Sequence, residues 1–154
     1  MYRIFAKQRE WSIDLYEKAS EFHGHGGLFM AAGLRMGIIA LTILDSRGWF
    51  GIRCVVGLRW SPPDSCVIDG LQVSTGCTMG KHNISVEERD GVSAEFECGE
   101  RRVVFALKEN VLRMMRRCSG EGEEFNRILE LIIKAPDEEL FEVSSSAPCD
   151  EHGF

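Results

Sequence analysis

The sequence predicts an α+β fold on three observations. Apolar residues recur at helical spacing near the N-terminus, β-formers fill the middle, and helical patterning returns after Glu109. Elements grouped in this way, and not alternating in regular strand–helix units, build an α+β domain. The expected architecture is two N-terminal helices, a small mostly antiparallel sheet and C-terminal helices. With 154 residues, 44% hydrophobic and 27% charged, the chain suits one domain with one core. We place that core at residues 1–143 and a flexible tail at 144–154.

Trp11, Leu15, Ala19 and Phe22 share one helical face, so Glu10 to Phe22 reads as an amphipathic helix. Gly24, Gly26 and Gly27 break it. Leu28 to Ser46 is apolar almost all round and should be central. Gly33 and Gly37 stand four apart within it, which suits close packing inside the chain or, less favoured, a dimer seam. Arg35, in the same apolar segment, needs a carboxylate or carbonyl partner, because burying a guanidinium alone is costly.

Trp49 to Trp60 reads as a strand, and "SPPDS" as a turn. Cys66 to Ser74 looks helical, and Thr75 to Asn83 is a glycine-punctuated loop. "ISVEE" and "VSAEFEC" flank Arg89-Asp90-Gly91, where Asp-Gly signals a hairpin, and "RRVVFAL" completes a three-strand meander. Helices follow at Glu109 to Cys118 and Glu123 to Lys134, then a short turn after Pro136 carrying Leu140 and Phe141.

The net charge of −6, without a long basic block, argues against nucleic-acid binding. The longest apolar run, Leu28 to Leu44, is interrupted by Arg35 and glycines, so a core helix fits better than a membrane span. Without a visible signal segment, a cytoplasmic location is expected. The six cysteines form no close pair and are expected to be free thiols or ligands.

Two clusters carry chemistry. His23-Gly24-His25 puts two imidazoles where a glycine turn can aim both at one site. Cys66, Asp69 and Gln72 repeat at three-residue spacing and lead into a loop holding Cys77, Thr78, Lys81 and His82. A thiol beside Lys81 can have a lowered pKa. Equally, Cys66 can pack as a small hydrophobe while Asp69 and Gln72 cap or solvate.

"FHGH" followed by "GLR", then "CVIDGLQVSTGCTMGKHN", resembles the FmdE family of formylmethanofuran dehydrogenase proteins, over roughly Leu15 to Val143. The resemblance implies an α+β core, an intertwined homodimer, and a polar cleft lined by His23, His25, Cys66, Asp69, Gln72, Cys77, Thr78 and Lys81. It also implies a link to molybdenum or tungsten formylmethanofuran dehydrogenase operons, hence a larger oxidoreductase as partner. The chain departs from the family motif at Gly27 and Leu28, where cysteine and proline are the pattern. Cys149 and His152 are too few ligands for the C-terminal zinc finger of many members. His82 stands where glycine is usual and is expected to be an exposed loop histidine.

The leading expectation is a transition-metal site, zinc first, with His23, His25, Cys66 and Cys77 as ligands. Asp69 would orient an imidazole or pair with Arg35, and Gln72, Thr78 and Lys81 would hold a ligand. A second reading is a thiol enzyme with Cys77 as nucleophile, a histidine as base and Asp69 in support. A third is an accessory or small-molecule-binding module without chemistry of its own.

Overall fold

The computed structural model describes residues 5–147, so the end of the expected tail, with Cys149 and His152, lies outside the described residues. Ser12 accepts a hydrogen bond from the Leu15 N–H at 3.1 Å, which starts α1 at Ile13–His23 and not at Glu10. Gly24 ends the helix at φ +103°, its N–H bonded to the Ser20 carbonyl. Helix α2, Leu28–Leu44, buries every side chain except Arg35, Thr42 and Ile43, as its all-round apolar pattern predicts.

Strand β1 spans Ile52–Leu58, helix α3 Cys66–Thr75 and strand β2 Ile84–Glu88. A 3-10 turn at Met79–Lys81 lies between the last two. Strands β3, Val92–Cys98, and β4, Arg101–Leu107, come next. Helices α4, Glu109–Arg117, α5, Glu123–Lys134, and α6, Asp137–Leu140, lead into strand β5, Phe141–Ser146. One five-stranded sheet results, in the order β2-β1-β3-β4-β5, with only the β1–β2 pair parallel.

Two details depart from the sequence reading. Asp90-Gly91 does not close a hairpin between β2 and β3, because β1 lies between them. Cys54 pairs with Ile84 on one side and with Phe96 on the other. Burial explains the choice: Cys54, Val56, Gly57 and Leu58 of β1 are all buried and need a central position, whereas β2 buries only Ile84. The true hairpin is β3–β4, turning at Gly99-Glu100. The second departure is β5, which continues past Val143 into the serine run. Apart from Phe141 its side chains are unburied, so backbone pairing to β4 holds this edge strand, from Leu107↔Phe141 to Arg102↔Ser146.

Helix α2 lies between the sheet and α3. A Cβ on Gly33 would overlap the Val67 carbonyl oxygen, and one on Gly70 would overlap the Met30 carbonyl oxygen. The small residues thus allow α2 and α3 to touch backbone to backbone inside this chain. Arg35 finds the partners its burial demands. It donates to the carbonyls of Ile132, Ile133 and Ala135 and to Asp137 Oδ1, all at 2.7–2.8 Å, closing the C-terminal end of α5. Under the sheet, Phe96, Phe105 and Phe141 meet edge to face, with centroids 5.8 and 5.9 Å apart.

Candidate functional site

The αL turn at Gly24 carries the chain off α1 so that His23 and His25 end on the same side, with ring centroids 4.7 Å apart. His23 is the last residue of α1 and Asp69 sits in the first turn of α3, so helix–helix packing brings them together. The His23 Nδ1–Asp69 Oδ2 distance is 2.5 Å, and the His23 side chain is only 11% exposed. A carboxylate can only accept, so Nδ1 carries the proton, and a neutral imidazole then presents its lone pair at Nε2. That Nε2 is buried and has no partner among the described residues. His25 repeats the arrangement: its Nδ1 donates to the Gly26 carbonyl at 2.7 Å, which frees Nε2.

Both histidines line a cavity of about 300 Å³. Gly27, Leu28 and Phe29 at the start of α2 form one wall, and Pro63 and Cys66 at the head of α3 form another. The far wall comes from the C-terminal helices: Met115 and Arg116 of α4, Cys118 and Glu121 of the connection, and Phe125 of α5. Arg116 is fixed there by Asp64, which is 1% exposed and lies 2.5 Å from its guanidinium. Burial pushes the Cys66 thiol above its usual range, and the nearby carboxylates of Asp69 and Asp64 push the same way.

The second expected cluster divides. Cys66 and Asp69 join the histidines, but Gln72, Cys77, Thr78 and Lys81 do not line this cavity. Cys77 is fully buried in the core, its thiol directed at the Ile52 carbonyl at 3.8 Å. Burial raises its pKa; Lys81 opposes this, as its position suggests, without reversing it. The loop after α3 is stapled to itself. Lys81 Nζ donates to the Gly76 carbonyl at 2.5 Å and to Thr78 Oγ1 at 3.2 Å. Thr78 caps the 3-10 turn, Gln72 Oε1 accepts from the Met79 N–H, and Asn83 bridges Thr78 and Trp49. His82 is exposed at a positive φ of 59°. Arg35, paired with Asp137, leaves Asp69 entirely to His23.

Sequence reasoning missed Arg116, Cys118, Glu121 and Phe125, which reach the cavity from about ninety residues beyond His23. The one signal that could have found them was the amphipathic pattern of α4, whose buried face ends next to Cys118.

Imidazole and thiol donors suit a late first-row metal, and the orphaned Nε2 of His23 is the atom such an ion would take. Among the described residues, no three His, Cys, Asp or Glu side chains converge closely enough to hold an ion as they stand. The donor types would fit such an ion; their present placement would not hold one.

The α+β core with its helix-bounded cleft is a small single-sheet domain. The chain belongs to the FmdE family, described as "FmdE, Molybdenum formylmethanofuran dehydrogenase operon", whose model matches residues 22–142. The fold is similar to that of a tungsten formylmethanofuran dehydrogenase FmdE-like protein from Syntrophus aciditrophicus. The TM-score is 0.63 at 20% identity, covering 94% of this chain and 78% of that one. A probable S-adenosyl-L-methionine-binding protein of Archaeoglobus fulgidus is 38% identical over 71 residues, which is 44% of this chain. The matched stretch spans 19% of that relative's length.

Proposed function

We propose that the cleft is a metal site, taking a late first-row ion, zinc first, through His23 and His25, with Cys66 as a thiol donor. One observation carries this reading: the buried Nε2 of His23, without a partner among the described residues, on a ring whose Nδ1 is held by Asp69. A buried polar atom left unmatched is costly, and a cation is the partner that a lone pair in this setting takes. His25, held in the same tautomer, supports it. Bound there, the ion supplies Lewis acidity or a structural cross-link. Asp69 fixes the imidazole, and the apolar wall of Leu28, Phe29 and Phe125 limits water. Within the family's operon setting, the chain then serves as an accessory to a larger oxidoreductase.

The test is elemental analysis of untagged protein, then zinc titration of the wild type and His23→Ala. Near-stoichiometric metal that the variant loses supports the reading. An empty protein that fails to take up zinc ends it.

A second reading, a metal-free module for a small organic ligand, is favoured by the mostly apolar lining and by Gly27, which leaves the wall beside His25 open. The name of the Archaeoglobus relative makes S-adenosyl-L-methionine the first ligand to try. Calorimetric binding unaffected by chelator would select this reading. The thiol-enzyme reading is disfavoured because burial raises the pKa of both Cys66 and Cys77, and at Cys77 the lowering influences of Thr75 and Lys81 do not offset it.

A homodimer belongs to the same proposal. Ile13, Phe22, Phe50, Trp60 and Met79 are more than half exposed, which a second copy would cover. A monomeric mass by light scattering at micromolar concentration is the result against it.

A further inference from the structure

Resting on the metal reading above, we infer that Cys118 is a second thiolate donor. The ion is then held by two nitrogens and two sulfurs from His23, His25, Cys66 and Cys118. Binding draws the α4–α5 connection onto the core.

The thiols are distributed unevenly. Among the described cysteines, Cys54 and Cys77 are buried in the core and Cys98 ends β3. Cys66 and Cys118 line the cavity that both imidazoles line. They reach it from opposite walls, Cys66 from the head of α3 and Cys118 from the residue that caps α4. Four donors around a space of about 300 Å³, two of them imidazoles with Nε2 free, form the set that encloses zinc tetrahedrally.

These donors do not converge as they stand. The local backbone supplies the means to close. Arg116 and the buried Met115 anchor α4, and Cys118 lies two residues beyond that fixed point. Cys118 has left the helix, with extended angles of φ −71° and ψ 121°. Gly120 at φ +74° and Gly122 at φ +155° follow, two positions where a residue with a side chain would resist the backbone. Two of the residues in the joint between α4 and α5 are therefore glycines, which admit backbone angles that other residues resist. On binding, two S–H bonds are lost to solvent as protons and two metal–sulfur bonds form, with no change of oxidation state.

Four protein donors saturate tetrahedral zinc and leave no open position for water or substrate. The ion therefore acts as a clasp on the C-terminal helices and not as a hydrolytic centre. Soft sulfur donors also favour zinc or copper(I) over magnesium or calcium.

Gly27 supplies a rescue. A Cβ there would meet the His25 ring at 3.6 Å, ordinary contact, on extended backbone at φ −159° that any residue adopts. A cysteine at this position would place its thiol against the same imidazole.

The experiment is cobalt(II) titration of the full chain, followed by zinc competition. The wild type should give tetrahedral d–d bands and a sulfur-to-cobalt charge-transfer band. Cys118→Ser should lower that charge-transfer band by about half and weaken zinc by at least about tenfold. Gly27→Cys added to Cys118→Ser should restore both. If Cys118→Ser leaves the band and the affinity unchanged while His23→Ala abolishes them, Cys118 is not a donor and the metal reading stands without it. If the wild type binds neither cobalt nor zinc, both fall. Should Cys118→Ser lose its fold by circular dichroism, wild-type alkylation mapped by mass spectrometry decides. Zinc that protects Cys66 and Cys118 together upholds the inference, and protection of Cys66 alone overturns it.

Discussion

Asp69 does its work through another side chain. By accepting from His23 Nδ1 it fixes the ring's tautomer and leaves Nε2 as the nitrogen with the lone pair. Asp69→Asn keeps the volume but can present an amide donor to Nδ1, which favours the wrong tautomer. Zinc affinity should fall about 10–100-fold with little change in thermal stability, as competition with a chromophoric chelator would measure. Under the proposed metal reading, Cys66 sets the pH dependence of binding. Its thiol pKa is raised, so at neutral pH the metal must displace a proton. Affinity should then climb by about tenfold per pH unit for that proton between about pH 6 and 8, and flatten only above the thiol's own pKa. Flat binding across that range would remove Cys66 from the ligand set.

At the scale of elements, what the sequence made legible was what local pattern controls. The apolar periodicity of Leu28–Leu44 announced a buried helix, and Gly33 with Gly37 announced a close crossing within the chain. Gly33→Ala should cost about 2–3 kcal/mol by urea unfolding, since the Val67 carbonyl cannot yield without moving α3. Of the candidate site, the His23–His25 pair and Cys66 were readable because a glycine turn and a helical repeat are local features. Other parts depend on partners far along the chain. Asp90-Gly91 carries hairpin chemistry, yet whether β2 meets β3 depends on which strand most needs burial on both faces. Ser144 to Ser146 carry almost no strand signal and are held by their neighbour's backbone. Cys77 sits in a motif dense with polar residues, and nothing in the motif says that Lys81 and Thr78 are occupied in stapling the loop.

Over the whole molecule, the cavity depends on the C-terminal helices staying in place, and two arginines hold them. Arg35 gathers the end of α5, and Arg116 ties α4 to Asp64 just before α3. Arg116→Leu strands a carboxylate that is 1% exposed. Because a third of the arginine itself is open to solvent, the loss should be about 2–3 kcal/mol, below the full cost of breaking an enclosed pair. Asp64→Asn should cost less, since the freed guanidinium can turn to water. Denaturant midpoints for the two variants would test that ordering.

Strands β1 and β2 run parallel, and parallel neighbours need a crossover. Here the crossover is α3, the helix that brings Cys66 and Asp69 to the cleft. Whatever grips those two residues pulls on a segment sewn at both ends into adjacent strands. Occupancy of the cleft should therefore slow amide hydrogen exchange along β1 and β2 more than along β4 and β5, which lie on the far side of β3 from the crossover. The sheet edge at β2 would thus report on a ligand it never touches.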